Sequence, residues 1–209
     1  MMIDSKTRRR FAGKSVLQLG VLGDYRSYFE SDRLGDWDFP VVSAEADYCL
    51  GVDKNEAGVT AANERGYDMI LYGDAENLDV GQKFDVVYAG DLIEHLSNLQ
   101  GFFDSCRRHM RPESSLFVAT PNPYSLALLV AGLFSSIERR IFDEHTLLLH
   151  PKNLTTLAER HDFQMVDLTY YTIVDRRNAV VKVKSLLSHW AGCWRQNLHQ
   201  AYVAELTLV

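Results

Sequence analysis

The chain has 209 residues, a length that suits one domain or one domain with a modest insertion. Hydrophobic residues make up 46% of it and charged residues 24%, as in ordinary globular proteins, so a stable core needs no disulfide framework and no structural metal. The formal net charge of −6 argues against a nucleic-acid partner, because the phosphates would be repelled.

Three cysteines, Cys49, Cys106 and Cys193, are far apart and form no CxxC pattern, which predicts a reducing compartment and therefore a cytoplasmic protein. Residues 6–10 (KTRRR) have no apolar segment behind them, so we expect no secretory signal. The longest apolar run, Leu126–Phe134, is much shorter than the roughly 20 residues of a membrane-spanning helix. This run predicts packing in the core or along a pocket, or contact with a membrane surface.

Short apolar runs alternate with helical stretches along the chain, a pattern typical of a parallel sheet with helices on both faces. Strands are predicted at residues 15–20, 48–53, 68–72, 84–89, 115–120, 163–172 and 200–208. Helices are predicted from about residue 24 and at 55–65, 92–109, 125–140, 153–161 and 179–194. The two late strands, each with a helix before it, predict a seven-stranded, mostly parallel sheet with one antiparallel strand. We expect a single domain over 1–209, with an irregular insertion near 31–46 and a helical one near 179–194.

Residues at the ends of the first three strands are candidates for binding a ligand, because open parallel sheets bind ligands beyond the carboxyl ends of their strands. Gly20 and Gly23 follow the first strand and allow close approach of the backbone, although an ordinary turn explains them equally well. Asp53 can accept hydrogen bonds from the ribose hydroxyls of an adenosine, or can cap the helix that follows. Asp74 can accept from an adenine amino group, with the Ala75 N–H donating to the ring, or can serve as a turn residue.

Five segments together resemble class I S-adenosylmethionine-dependent methyltransferases, in particular the methyltransferase-domain proteins found with bacterial surface-glycan genes: residues 16–24 (VLQLGVLGD), 51–53 (GVD), 72–78 (YGDAENL), 84–98 (FDVVYAGDLIEHLSN) and 117–122 (FVATPN). The resemblance covers residues 15–170 and implies a Rossmann-like fold. It also implies that Gly20, Asp53, Asp74 and Ala75 hold S-adenosylmethionine and that Ala89, Gly90 and Asp91 line its methionine end. Their neighbours Val21, Gly23 and Lys54 complete the predicted cofactor site. Lys54 can equally be a solvated side chain.

The first loop departs from the family pattern. The family carries an acidic residue where this chain has Gln18, and a third glycine that is missing from residues 20–23. In the family, that acid often contacts the amino end of the cofactor. The departure leaves open an alternative in which the chain is a non-catalytic, methyltransferase-like interaction module.

The segment 91–95 (DLIEH) resembles the ExxEH element of ubiquinone-biosynthesis O-methyltransferases and small-RNA 2′-O-methyltransferases. On a helix, Asp91, Glu94 and His95 would share one face. The resemblance implies a divalent ion such as Mg²⁺, held by these three residues and a downstream partner, for which His145 is the candidate beside Asp143, Glu144 and His150. In the alternative, Glu94 and His95 only shape a metal-free pocket.

His95 and His145 are the candidate catalytic residues, because neutral imidazole is available as a base near pH 7. We expect in-line methyl transfer to a hydroxyl of a small molecule or glycan, although nitrogen and carbon acceptors use the same scaffold. Pro121 and Asn122 are expected to line the acceptor pocket, with Tyr124 in its lid. An RNA acceptor is disfavoured by the negative charge, and a nicotinamide-dependent oxidoreductase by the absence of GxGxxG. The oligomeric state is left open.

Overall fold

The computed structural model of the chain describes residues 4–30, 34–134, 145–172 and 179–209. Seven strands form one sheet in the order β3-β2-β1-β4-β5-β7-β6. Strand β7 is antiparallel to both of its neighbours and the other pairings are parallel, which confirms the predicted fold class. The strands are β1 (Ser15–Leu19), β2 (Tyr48–Asp53), β3 (Ile70–Tyr72), β4 (Phe84–Gly90), β5 (Met110–Pro121), β6 (Phe163–Tyr171) and β7 (Ala201–Leu208).

Eight α-helices connect these strands within the described residues. They are α1 (Ser5–Arg8), α2 (Tyr25–Glu30), α3 (Asp38–Glu45), α4 (Glu56–Asn63), α5 (Leu99–Arg108), α6 (Leu126–Phe134), α7 (Pro151–Glu159) and α8 (Ala179–Trp194). The described helices include none that is long and apolar enough to cross a membrane. Of the helix predicted over 125–140, the last six residues lie outside the described residues.

Alternate residues of the central strands contribute to two hydrophobic cores, one on each face of the sheet, because successive side chains of a strand point in opposite directions. Leu17 of β1 packs with residues of α5 and α7, such as Phe102 and Leu154. Its neighbour Val16 packs on the other face with α3 and α4 residues, such as Val42 and Val59. Both faces of the central strands are therefore buried, and the polar ends of the strands are left to form a site.

Two predictions about local structure are wrong. The segment 31–46 is not wholly irregular, because it contains α3 and a 3₁₀ turn at Leu34–Asp36. Trp37, just before α3, is buried among aromatic rings and donates its indole N–H to the Val21 carbonyl, which fastens the segment to the sheet. The helix predicted over 92–109 is also interrupted: Ile93–His95 is a 3₁₀ turn, Leu96 is extended, and α5 begins only after its Asn98 cap.

Candidate active site

A pocket opens at the carboxyl ends of β1, β2, β3 and β4, on the edge of the sheet where the sequence predicts a ligand. Its lining comprises Gly20, Gly23, Val52, Asp53, Lys54, Asn55, Gly73, Asp74, Ala75, Asp91, Leu92, His95 and Leu96. Seven of the ten predicted cofactor-binding residues are in this set. The exceptions are Val21, which is buried and accepts the Trp37 hydrogen bond, Ala89, which is buried in β4, and Gly90, which precedes the lining residue Asp91.

The loop after β1 is held against β2 by backbone hydrogen bonds and by one carboxylate. Gly20 has a φ of 70° and donates its N–H to the Val52 carbonyl at 2.8 Å. A side chain at Gly20 would need a left-handed backbone, and its Cβ would lie 2.8 Å from Leu92 Cδ1. This position therefore needs glycine even though the loop lacks the family's third one.

Asp53 joins this loop to the helix that follows β2. Its Oδ2 accepts from the Leu22 N–H at 2.8 Å and its Oδ1 accepts from the Asn55 N–H at 2.9 Å. The helix cap is Asn55, whose side chain accepts from Gly58 N–H, so the alternative that Asp53 caps α4 is wrong. Asp53 is almost fully buried and belongs to the pocket lining, so its carboxylate is a candidate partner for a ligand there.

The loop after β3 forms the other wall. Asp74 is exposed and accepts from the Glu76 N–H, so that it caps the short turn Ala75–Asn77. Glu76 in turn accepts from the N–H groups of Ser97 and Asn98, and the bond from Asn98 holds the pKa of the Glu76 carboxyl below its usual value. The wall after β3 is thereby tied to the turn after β4.

Glu94, His95 and His145 converge beside the pocket. Ligand atoms of these three side chains all lie within 4.8 Å of one another, and the two imidazole rings are 4.7 Å apart between centroids. The segment after His145 is fastened by the Thr146 and Leu147 N–H groups, which both donate to the Glu94 carbonyl oxygen, at 2.8 and 3.1 Å. These bonds bring together residues about fifty positions apart in sequence.

Glu94 is 1% exposed, an unusual setting for a carboxyl group. Its Oε2 accepts from the Thr120 hydroxyl at 2.9 Å, whereas Oε1 has no hydrogen-bond partner among the described residues. Burial, with a smaller contribution from the charge of Asp91, raises the pKa of Glu94 to about 7. A buried carboxyl with one unused oxygen is suited to receive a cation or a proton.

Asp91 does not join this cluster in the way that the sequence predicts. The segment 91–95 is not a helix: Asp91 has a φ of 47° and donates its N–H to the Ala119 carbonyl, so its side chain is not on a shared helical face with Glu94 and His95. Asp91 lines the pocket, and among the described residues the potential metal ligands are Glu94, His95 and His145 without it.

A second polar group lies beside Gly90 and was missed from the sequence. The Tyr88 hydroxyl donates to Asp38 Oδ2 at 2.9 Å, and a Cβ at Gly90 would clash with that hydroxyl. Burial, together with the negative charges of Asp38 and Asp91, raises the pKa of Tyr88 far above its usual value, and Tyr171 is affected in the same way. A tyrosine inside the mostly apolar run 84–89 is the sequence feature that could have indicated this group.

The methyltransferase-domain family matches residues 35–168, well over half of the sequence. The chain belongs to the methyltransferase-domain family. Its fold is that of class I S-adenosylmethionine-dependent methyltransferases. The matched segment starts after the glycine loop of β1 and includes the remaining walls of the pocket.

The chain spans less than half the length of the curated relatives it matches. The ubiquinone biosynthesis O-methyltransferase of Brucella ovis is 29% identical over 107 residues, which are 48% of this chain and 43% of that protein. The enzyme of the same name from Rhodopseudomonas palustris is 32% identical over 90 residues, 40% of this chain and 36% of that protein.

Solved structures of methyltransferases match nearly the whole chain. A SAM-dependent methyltransferase from Archaeoglobus fulgidus gives a TM-score of 0.57 at 19% identity and covers 97% of this chain and 91% of that one. A glycopeptide N-methyltransferase complexed with S-adenosyl-L-methionine gives a TM-score of 0.62 at 15% identity, over 98% and 85%. At these identities the likeness establishes the fold.

Other predicted site residues have structural roles in this methyltransferase domain. Asn122 is buried, and its amide donates to the Asn197 and His199 carbonyls, so it joins β5 to the segment before β7. His150 caps α7 by accepting from the Lys152 N–H. Pro121 is the last residue of β5; Asp143 and Glu144 lie outside the described residues.

Proposed function

We propose that this chain transfers the methyl group of S-adenosylmethionine to a hydroxyl oxygen of a small-molecule acceptor. One observation supports the proposal most directly. The strand-end pocket meets the cluster of Glu94, His95 and His145 at His95, which belongs to both. Transfer to oxygen is favoured because the curated relatives are O-methyltransferases. A glycan hydroxyl is an acceptor of the same chemistry, and an oligomer remains to be tested.

The residues present fit S-adenosylmethionine. Asp53 offers a buried carboxylate at the end of β2 for the ribose hydroxyls, and the rim at Asp74 and Ala75 offers an acceptor and an N–H for the adenine. Glycine at position 73 lets this wall pack closely on the core, because a Cβ there would lie 2.9 Å from Leu78 Cδ1 and 3.0 Å from Val52 Cγ1.

The methionine end of the cofactor carries a sulfonium and an ammonium group and needs negative charge. Gln18 cannot supply it. We infer that Asp91, which lines the pocket after β4, supplies it instead. A carboxylate after β4 would on this view replace the acid that the first loop lacks, which favours a working site over the interaction-module alternative.

Methyl transfer in this site is an in-line displacement. The acceptor oxygen forms a bond to the methyl carbon as the carbon–sulfur bond breaks, and S-adenosylhomocysteine leaves. Much of the rate enhancement comes from holding the two reactants in line. His145 or His95 takes the proton that the attacking hydroxyl loses, since the oxygen gains positive charge as it reacts.

A divalent cation is a second component for which this cluster offers ligands. Two imidazoles and one carboxylate suit Zn²⁺ or Fe²⁺ better than Mg²⁺, which prefers oxygen ligands. Glu94, His95 and His145 would hold it, and the unused Oε1 of Glu94 is the observation that points to it. A bound cation would lower the pKa of an acceptor hydroxyl. This component rests on the geometry of the cluster.

Calorimetric titration with S-adenosylhomocysteine, with and without Mg²⁺, tests the cofactor site. We expect a dissociation constant of roughly 1–100 µM, about −8 to −5.5 kcal/mol. A screen of phenols and sugars with labelled S-adenosylmethionine then tests transfer. Absence of binding at millimolar ligand would overturn the enzymatic proposal in favour of the interaction module. Full activity in the presence of EDTA would rule out the proposed divalent cation.

A further inference from the structure

Helix α8 presents large apolar side chains to solvent. Val183, Leu187, Trp190 and Trp194 are 55%, 59%, 74% and 77% exposed. Their spacing of four, three and four residues places all of them on one face of the helix. This face is a continuous apolar stripe.

The opposite face of α8 is buried at its described positions, where it carries small residues. Ser185 and Ser188 are each 2% exposed, and Gly192 packs so closely on His199 that a Cβ would clash with the imidazole ring. Surface helices of globular proteins bury their apolar face and expose their polar one. Among the described residues helix α8 does the reverse, which leaves its apolar face available for contact with a partner.

Helix α6 extends this surface. It packs against α8 and consists of a nine-residue run without a charged or hydrogen-bonding side chain (LALLVAGLF). Leu129 and Val130 of this helix are 43% and 45% exposed, and Tyr124 just before it is 50% exposed. We call the exposed apolar residues of the two helices the α6–α8 surface. Patches of this kind mark sites of interaction with proteins or membranes.

The sequence charges of α8 and the residues next to it distinguish between these partners. The whole chain has a net charge of −6, yet the segment 173–195 contains a single acid, Asp175, and five basic residues: Arg176, Arg177, Lys182, Lys184 and Arg195. The Arg195 guanidinium lies 5.3 Å from the centre of the Trp194 ring, at the end of the stripe. Tryptophans flanked by lysine and arginine are typical of helices that lie in the interface of an anionic membrane.

The α6–α8 surface is also connected to the candidate active site. Helix α6 starts shortly after β5 ends at Pro121, and β5 runs beside β4, where the Asp91 N–H of the pocket donates to the Ala119 carbonyl. A membrane under α6 and α8 would therefore contact the strand-end side of the sheet.

We propose that the α6–α8 surface binds this chain to an anionic lipid membrane, with α8 lying in the plane of the interface. Its tryptophans and leucine enter the boundary between headgroups and acyl chains, and the basic residues contact lipid phosphates. One consequence rests on the proposed function: the methyl acceptor is a molecule carried in the membrane.

The test is sedimentation of the full chain with vesicles of phosphatidylcholine alone or of phosphatidylcholine mixed with phosphatidylglycerol. We expect binding to the mixed vesicles that weakens at high salt, with a blue shift of tryptophan emission. The double variant Trp190→Ser/Trp194→Ser should reduce the bound fraction by roughly tenfold or more. Val166→Ser, at a 51% exposed apolar residue of β6, is the matched control and should bind like the wild type.

Three results would overturn the proposal: no binding of the wild type to either vesicle, equal binding of the double variant, or equal loss in the control. Light scattering that shows a dimer which the double variant dissociates, without vesicle binding, would assign the surface to self-association instead. Titration with S-adenosylhomocysteine on each variant separates the two proposals, because the exposed tryptophans do not line the cofactor pocket.

Discussion

The substitution Asp53→Ala tests both roles that the structure gives to this carboxylate. It removes the acceptor for two backbone N–H groups: that of Leu22, which is buried, and that of Asn55, which is partly buried. A buried donor left without a partner costs about 1–3 kcal/mol, and water can relieve the more accessible one. We therefore expect a loss of about 2–4 kcal/mol in the free energy of unfolding, which lowers Tm by roughly 4–16 °C in a chain of this size.

The same substitution should weaken binding of S-adenosylhomocysteine. Losing a hydrogen bond to a charged group costs about 1.5–3 kcal/mol, so the dissociation constant should rise roughly tenfold to a hundredfold. Calorimetry at a temperature where the variant is fully folded measures this effect separately from stability. Asn55→Ala is the control: it removes the α4 cap, should cost about 1 kcal/mol of stability, and leaves the carboxylate in place.

Two outcomes would refute this reasoning. A wild-type Tm for Asp53→Ala would mean that the carboxylate does not hold the β1 loop against β2. A lowered Tm with unchanged affinity would mean that Asp53 is structural and that the ribose contacts are made elsewhere.

Three further predictions concern other residues. His145→Ala should reduce turnover at least about tenfold while leaving the affinity for S-adenosylhomocysteine unchanged, and a parallel loss of affinity would show a structural role instead. His109 is buried, accepts from one backbone N–H and donates to a carbonyl. Burial lowers the pKa of its imidazole below 6.5, so on acidification the unfolded chain takes up a proton before the folded one does. The stabilisation that His109 provides above about pH 6.5 is therefore lost as the pH falls. Urea midpoints of wild type and His109→Gln at several pH values should therefore converge as the pH falls, and parallel curves would contradict this. Burial raises the pKa of Cys49 to about 12 and that of Cys106 still further, so a thiol reagent should modify only the exposed Cys193 in the native protein, which mass spectrometry of the alkylated chain can check.

Much of the fold could be predicted from local patterns. Strand β2 has the predicted bounds, as does α8, and the antiparallel β7 follows from the order of the late elements. These predictions succeed because each depends on a short run of apolar or helix-forming residues. The helix predicted over 92–109 fails because the left-handed backbone at Asp91 and the Asn98 cap interrupt a stretch whose composition suits a helix throughout.

The sequence by itself determined the class of fold, the sheet edge that carries the site and most of the residues that line the pocket, because strand ends can be located from apolar runs. Only the tertiary structure decided which polar groups meet. Glu94 and His145 converge through backbone bonds across about fifty residues, and Asp38 reaches Tyr88 from an insertion. It also decided that α8 buries its serines and exposes its tryptophans. The physical reason is that periodicity shows which residues share a face of an element, whereas long-range packing selects the face that is covered.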